Sequence, residues 1–292
     1  MKNNLLNRAI TALNNAGFEV VGFSHKRPWA ENKPLKLKVI PVFESREELL
    51  GELGLKGDPA PQKSPDFSKR SSGETCDLVR LLGAQDWRHA LRLTQEVIRA
   101  GSDAASAFNV GDFVRVKFDV PAANYDGVDF PALHVDEKVK IIDVEDDKAI
   151  FNFDDIIFQS AINAKDTNEG GFSASALAKY LNNEFLVAMD ISGVLLANSD
   201  ELMISLPTAL ELFGDKEYWA AESNYFDEPH QIEHFENEKN RVKSWENETD
   251  WYWTASARAS SSAIFCICYA RGYSGNSAAS SVGGVAPVFC VA

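Results

Sequence analysis

The sequence predicts an α+β protein in which a smaller mixed α/β N-terminal region (residues 1–104) precedes a β-rich C-terminal domain (residues 105–292). Three observations support this division. From Phe108 onward the hydrophobic pattern changes to the alternation and β-branched content of strands. A Pro-, Ser- and Gly-rich stretch near residues 57–75 has the composition of a linker. The charge also changes sign, because the first 100 residues hold 16 Lys/Arg and 12 Asp/Glu, a net +4, whereas the rest hold 13 and 31, a net −18.

The N-terminal region alternates helices and strands. Its predicted elements are a helix over 5–13, strands over 18–24 and 35–43, a helix over 45–53, and two helices over 76–82 and 86–100. Gly17 follows the first helical pattern, where a left-handed C-cap residue is expected. Ser45 and Asp86 suit the N-cap position of two later helices, because their side-chain oxygens accept hydrogen bonds from free N–H groups. Gly101 marks the end of the last helix.

The C-terminal domain has mainly strand-like patterns. Its predicted elements are strands over 113–118, 139–144 and 148–153, a helix over 173–185, short strands over 195–196 and 202–206, a helix over 208–213, and a loop-rich stretch over 218–250 with at most one helix around 229–243. The dipeptide Asp146-Asp147 fits the hairpin turn between the second and third strands. Ser173 or Ser175 caps the first of these helices, and Thr208 caps the second.

The last 39 residues, Thr254 to Ala292, have an unusual composition. They contain no Asp, Glu, Lys, Gln, Met or Trp, and their only charged residues are Arg258 and Arg271. The first 253 residues hold 70 charged residues, so a window of this length would hold about 11 by proportion. The segment keeps Tyr, Ser, Gly, Asn and Arg, which antibody-like recognition surfaces favour. This composition therefore indicates a binding surface.

Two runs within this segment are strongly strand-like, AIFCICYA (263–270) and VAPVFCV (285–291). Disordered tails normally lack aromatic and β-branched residues, and two exposed runs of this kind would promote aggregation. We therefore expect both runs to pair within a sheet, with residues 272–284 as a surface loop or irregular strand. Phe265, Ile267 and Tyr269 are predicted to share one strand face.

Four motifs in this part of the chain resemble the variable proteins of diversity-generating retroelements, which share a C-type lectin-like fold. The motifs are WYWTAS (251–256), SSSAIFCIC (260–268), a Gly-rich loop, and GVAPVFC (284–290). KAIF, KYLNNEF and LMISLPT farther upstream also fit such domains. The resemblance covers roughly residues 105–292 and is strongest over the last 42. It implies a C-type lectin-like domain that binds a protein or glycan on a cell surface, with no enzymatic activity and no cofactor.

In that family, an error-prone reverse-transcribed copy replaces the 3′ end of the gene, and AAY codons become NNY codons. NNY codons do not encode Trp, Met, Lys, Glu or Gln, which are five of the six residue types missing from this segment. The absence of Asp has no such explanation, because NNY codons include Asp. The composition and the resemblance therefore lead to the same hypothesis, a surface whose side chains are rewritten.

The resemblance divides the terminal residues into two groups. The framework group is Trp251, Trp253, Gly284, Val285, Pro287 and Phe289. The diversified, ligand-binding candidates are Arg258, Ser260, Ile264, Ile267, Tyr269, Arg271, Tyr273, Ser274, Asn276 and Ser281. Ile267, Tyr269 and Arg271 are expected to share a strand face, and an exposed Ile264 or Ile267 would be typical of a binding site.

An enzymatic alternative exists on the same fold. Arg271-Gly-Tyr-Ser is weakly similar to a segment of formylglycine-generating enzymes, which are oxidoreductases that use cysteines. That reading requires an exposed thiol with a low pKa, whereas the binding reading expects inert or disulfide-bonded cysteines. The C-terminal cysteines 266, 268 and 290 are compatible with a Cys266–Cys290 or Cys268–Cys290 disulfide, and their spacing is poor for zinc.

Other motifs carry little weight. The sequence His230-Gln-Ile-Glu-His234 matches a zinc-protease pattern but lacks a carboxylate on a second helix, and Glu228-Pro229-His230 is a poor match to a lectin calcium site. The acidic domain argues against nucleic acid as a partner. No apolar run is long enough for a membrane span, and the first residues lack the apolar core of a signal peptide. We therefore expect synthesis in the cytoplasm, with virion association or a dedicated export route left open, and assembly or oligomerisation through the N-terminal region.

Overall fold

The computed structural model describes residues 18–23, 37–41, 73–100, 107–215, 219, 224–226 and 230–292. The chain divides into two compact units, Met1–Gln62 and Lys63–Ala292. This boundary falls inside the stretch predicted as a linker. It also lies upstream of the domain boundary predicted at residue 104, because the helices between residues 76 and 100 belong to the second unit. The predicted helices over 5–13 and 45–53 lie outside the described residues.

The first unit contains an antiparallel pair of strands, β1 (Phe18–Phe23) and β2 (Leu37–Pro41). Both were predicted from their composition. The register shifts once, between Val20 and Gly22.

The second unit is built mostly from strands. They are β3 (Phe113–Val120), β4 (Ala123–Tyr125), β5 (Val128–Phe130), β6 (Leu133–Glu145), β7 (Lys148–Phe153), β8 (Phe158–Ser160), β9 (Leu195–Leu196), β10 (Ile204–Ser205), β11 (Lys243–Trp245), β12 (Glu248–Asp250), β13 (Tyr252–Ala257), β14 (Ile264–Cys268), β15 (Ser274–Ala278), β16 (Gly283–Val285) and β17 (Val288–Val291). The α-helices are α1 (Leu78–Leu81), α2 (Trp87–Arg99), α3 (Ala176–Tyr180), α4 (Leu186–Met189) and α5 (Ala209–Phe213). A π-helix (Leu181–Phe185) joins α3 to α4, and 3-10 helices span Ser192–Val194, Glu233–Phe235 and Glu238–Arg241.

Two larger sheets organise these strands. The first has the order β10-β17-β7-β6-β3, with β9 also paired to β17, and the second has the order β15-β14-β13-β16-β8. Strands β13 and β16 pair in parallel, and the other pairs of these two sheets are antiparallel. The predicted α+β class is therefore confirmed, with strands predominating.

The main hydrophobic core joins both sheets and the helices. Strand β3 alternates buried and exposed positions, as a strand with one face on a core should. Trp253, Phe265 and Phe289 from the terminal segment are fully buried and belong to the same cluster as Trp87 and Leu91 of α2. The side chain of Gln95 on α2 donates a hydrogen bond to the carbonyl of Ala292 at 2.6 Å. Phe265 and Phe289 of the terminal segment thus form part of the main core.

Several local predictions are confirmed by cap geometry. The Asp86 carboxylate accepts from the N–H of His89, and the Ser175 hydroxyl accepts from that of Ala178. Thr208 and Glu211 form a reciprocal capping box at the start of α5. Residues 229–243 differ from expectation, because the described part forms two 3-10 turns there in place of one helix. No helix in the described part of the chain is long and apolar enough to cross a membrane.

Candidate functional site

The candidate site is centred on the hairpin formed by β14 and β15. Their register pairs Ile264 with Ala278, Cys266 with Asn276 and Cys268 with Ser274. The hairpin closes with a hydrogen bond from the N–H of Tyr269 to the carbonyl of Tyr273 at 2.8 Å. Its outer strand is unusually poor in strand-forming residues, since it reads SGNSA. We infer that β15 forms a strand because β14 pairs with all five of its residues.

The ten sequence-predicted positions differ in exposure. Those with exposed side chains are Ser260, Tyr269, Arg271, Tyr273, Ser274 and Asn276. Arg258, Ile264 and Ser281 are half-buried, and Ile267 is buried. The two tyrosines are among the exposed large hydrophobic side chains that the structure describes, at 48% for Tyr269 and 53% for Tyr273.

The structure separates these positions into two groups at opposite ends of the hairpin. The first group, which we call the turn end, consists of Tyr269, Arg271, Tyr273, Ser274 and Asn276 on the turn and the first part of β15. The second group, which we call the loop end, consists of Arg258, Ser260, Ile264 and Ser281, where β14 begins and β15 ends. Four residue steps along a strand separate the ends by roughly 14 Å, so one extended ligand can contact both.

Ile267 is placed differently from the prediction. It is only 3% exposed and belongs to the main core with Phe265 and Trp253. The predicted sharing of a face by Phe265 and Ile267 is reproduced, but that face points into the core. Tyr269 and Arg271 were expected on the same face as Ile267, and this was wrong, because β14 ends at Cys268 and both residues are exposed in the turn. A ligand therefore cannot contact Ile267 in this conformation.

Tyr269 stays accessible because of the glycine opposite Ile267. Gly275 pairs with Ile267 across the hairpin, and any Cβ at Gly275 would overlap the Tyr269 ring. The aromatic ring thus covers bare backbone of β15, as aromatic residues do over glycines on sheet edges. This contact holds the ring against the edge strand while nearly half of its surface remains free.

The turn end packs on the two 3-10 helices before β11, Glu233–Phe235 and Glu238–Arg241, which we call the support. The guanidinium of the buried Arg241 donates to the carbonyls of Phe235 at 2.6 Å, Glu236 at 3.3 Å and Gly272 at 3.3 Å. The carbonyl of Arg241 in turn accepts from the Tyr252 hydroxyl at 2.9 Å. Arg241 therefore ties the hairpin turn both to the support and to the framework strand β13.

The loop end is fixed by two polar side chains, those of Asp166 and Asn168. The side-chain amide of Asn168 donates to the carbonyls of Ser261 at 2.7 Å and Ile264 at 3.0 Å. The carboxylate of Asp166 accepts from the N–H and the hydroxyl of Ser280. Neither residue was identified from the sequence, because their distance along the chain from the loop gives no signal of these contacts.

The predicted framework residues line the interior beside the hairpin. Trp253, Val285 and Phe289 are fully buried, and the Trp253 indole N–H donates to the Ser160 carbonyl at 2.9 Å. A Cβ at Gly283 or Gly284 would overlap Trp251 or Ile156, so glycine is required for this close packing. Trp251 itself is half-buried and packs edge-on against Trp253.

The four cysteines are free thiols, and those at 266, 268 and 290 are buried. Burial raises the pKa of Cys266 and Cys290 to about 12 and also raises that of Cys268, because an apolar environment disfavours the thiolate. Such thiols are poor nucleophiles at neutral pH. In the described part of the chain, no group of three or more His, Cys, Asp and Glu side chains is arranged to hold a metal ion.

Comparison with known proteins finds no matching family, no matching curated protein and no matching solved structure.

Proposed function

We propose that this chain is a ligand-binding protein of the receptor or adhesin type whose C-terminal surface is diversified by retroelement mutagenesis. The observation that carries the proposal is the division of the terminal segment by burial. Trp253, Val285 and Phe289 of the expected framework are fully buried, whereas six of the ten expected variable positions are exposed and three are half-buried. If framework and variable positions had been assigned at random along the terminal segment, they would not separate so closely into buried and exposed residues.

This division makes the surface rewritable. Substitutions at exposed positions away from special contacts usually change the free energy of unfolding by less than about 0.5 kcal/mol. The fold can therefore accept new side chains at the turn end and the loop end. Buried positions lack this freedom, because adding or removing a single methylene in a packed core already changes the stability of the fold.

We further propose a C-type lectin-like arrangement for the second unit. The motif WYWTAS lies on β13 and the motif GVAPVFC lies on β16 and β17, so framework strands precede and follow the hairpin. Strand β17 ends inside the first sheet, between β7 and β10. The rewritable hairpin is thus anchored at both ends of its sequence. We propose a protein or glycan on a cell surface as its ligand.

The oxidoreductase alternative has less support in the geometry. It needs an exposed cysteine whose pKa is lowered by cationic neighbours. The C-terminal thiols are buried and their pKa values are raised. Treatment of the folded protein with a thiol reagent is expected to label Cys76, which is half-buried, much faster than the other three cysteines.

Sequencing of the genomic locus tests the diversification. We expect a near-identical repeat of codons 254–292 that differs at adenines, together with a reverse transcriptase gene. Deep sequencing of a growing population should show substitutions at codons 258, 260, 264, 269, 271, 273, 274, 276 and 281. Codons 283–291, which encode β16 and β17, serve as the matched control and should stay constant.

A lone gene without a repeat, and without variation above the error rate, would remove the proposal of retroelement mutagenesis. Substitutions spread evenly over hairpin and control codons would contradict it equally well. If codon 267 varied as freely as codon 273, the side chain of residue 267 would have to lie on the surface and not in the core.

A further inference from the structure

The outer edge of β15 has the properties of a docking site for a polypeptide strand. In the part of the chain that the structure describes, β15 pairs with β14 and with no other strand. Among the described residues, no strand pairs with its other edge along Ser274–Ala278, where the side chains of Ser274 and Asn276 are exposed. An open edge presents main-chain N–H and C=O groups that another strand can pair with.

The register shows which groups point outward. The hairpin bond from the N–H of Tyr269 to the carbonyl of Tyr273, and the bond from the N–H of Ala279 to the carbonyl of Ala263, lie at opposite ends of the same ladder. Because inward and outward residues alternate in an antiparallel pair, Gly275 and Ser277 direct their main-chain groups toward β14. Ser274 and Asn276 direct both of theirs outward. The N–H of Ala278 also points outward, while its carbonyl accepts from Ser281.

The usual protections of an edge strand are missing from β15. Natural proteins block such edges with lysine, proline, inward-pointing charges or a bulge. The sequence SGNSA contains no charged residue and no proline, and all five residue pairs with β14 keep one register. The small side chains also allow another backbone to approach closely.

We propose that β15 binds an extended segment of a protein ligand, which adds to the second sheet as an antiparallel strand beside β15. The inference rests on the proposed function and specifies its ligand as a polypeptide. Main-chain hydrogen bonds then supply affinity that is independent of side chains, whereas Tyr269, Arg271 and Tyr273 supply specificity. This division of roles suits a rewritable surface, because a mutation changes the specificity and leaves the main-chain contacts in place.

The charges beside β15 define the chemistry of the segment. The exposed Arg271 lies in the turn before β15, and the exposed Asp166 lies at its far end on Ser280. An antiparallel segment runs from the Asp166 end toward the Arg271 end. Its preferred sequence therefore carries a basic group near its N-terminal end and a carboxylate near its C-terminal end. A second copy of this chain fits less well, because each copy has a net charge of −14.

The probe for the test is a set of random 12-residue peptides displayed on phage and selected on the immobilised full chain. Selected peptides are then synthesised, and their affinities are measured by fluorescence anisotropy for the wild type, Asn276→Pro and Asn276→Ala. Proline removes the outward N–H of residue 276 and places a ring on the edge, but it keeps the inward bonds of Gly275 and Ser277. Alanine removes only the side chain and is the matched control.

We expect Asn276→Pro to bind selected peptides about tenfold or more weakly than Asn276→Ala, because both variants lose the side chain and only proline also loses the outward N–H. In the wild type, bound peptide should slow amide hydrogen exchange at residues 274, 276 and 278 and leave the already paired 275 and 277 unchanged. The exchange data decide the question if Asn276→Pro fails to fold. Selected peptides should also show the expected acidic residue near the C-terminal end.

Three outcomes would overturn the inference: no specific peptide is selected, both variants bind equally well, or the edge amides gain no protection. Protection of these amides in the protein alone, with a dimeric mass in sedimentation, would assign the edge to a second copy. These failures differ from failure of the proposed function. Peptides that bind through Tyr269 and Tyr273 without edge protection would retain the binding function, and a locus without a repeat would leave the edge result intact.

Discussion

At the scale of single residues, Gly272 is a position in the candidate site where even a methyl group should destabilise the fold. Its φ is +84°, and a Cβ placed there would lie 2.5 Å from the carbonyl oxygen of Glu238. We expect Gly272→Ala to lower the free energy of unfolding by about 2 kcal/mol, because a left-handed backbone and a backbone clash both oppose the methyl group. Urea denaturation followed by circular dichroism measures the loss.

Gly193→Ala is the matched control for that substitution. Gly193 lies in a 3-10 helix, and a Cβ there meets no atom within 4 Å. Its stability should stay within about 0.5 kcal/mol of the wild type. Equal losses in the two variants would show that the hairpin turn does not constrain Gly272.

At the scale of elements, the support under the hairpin turn depends on Arg241. Its guanidinium binds three carbonyls from the 3-10 segment and the turn. We expect Arg241→Met to free the turn, since buried carbonyls lose their donors. Amide exchange of Tyr269, whose N–H closes the hairpin, should become faster, while exchange within the β7–β17 pair should change little.

The control for this prediction is Arg115→Met. Arg115 lies on β3 with an exposed side chain and forms a surface ion pair with Asp136 at 2.6 Å. Surface pairs contribute little to stability, so exchange of the Tyr269 amide should match the wild type. Slow exchange retained in Arg241→Met would place the support elsewhere.

Elements with a local signal were predictable from the sequence, and those that depend on distant partners were not. Asp86, Ser175 and Thr208 were identified as N-caps because capping needs only neighbouring residues. Strand β15 was expected as a loop or irregular strand, since serine, glycine and asparagine do not favour strands. Pairing with β14 overrides that preference.

The candidate site shows the same limit. Composition predicted a binding surface in the terminal segment, which stays a prediction, and period-2 spacing grouped Phe265 with Ile267 correctly. Spacing alone does not tell which face of a strand is covered, so Ile267 was expected on the binding surface and lies in the core. Asn168 and Arg241 support the two ends of the hairpin from outside the terminal segment, where nothing in their local sequence indicates this role.

At the scale of the whole molecule, the stability should depend on pH through His234. Burial lowers the pKa of this imidazole from 6.5 to about 4, and the positive charges of Lys140 and Lys243 act in the same direction. Between pH 6.5 and pH 4 the unfolded chain binds a proton at this residue and the folded chain does not. The contribution of His234 to the free energy of unfolding is therefore fully present above pH 6.5 and decreases as the pH falls toward 4.

His234→Gln has no titrating group at this position, so its free energy of unfolding should decrease less than that of the wild type between pH 6.5 and pH 4. Urea denaturation at several pH values measures both curves. Val187→Ala is the control, because Val187 is exposed and carries no titrating group, and its curve should follow the wild type. Parallel curves for His234→Gln and the wild type would mean that His234 is protonated as easily in the folded protein as in the unfolded chain. The support beneath the hairpin turn would then be open to water, since desolvation is the main cause of the lowered pKa.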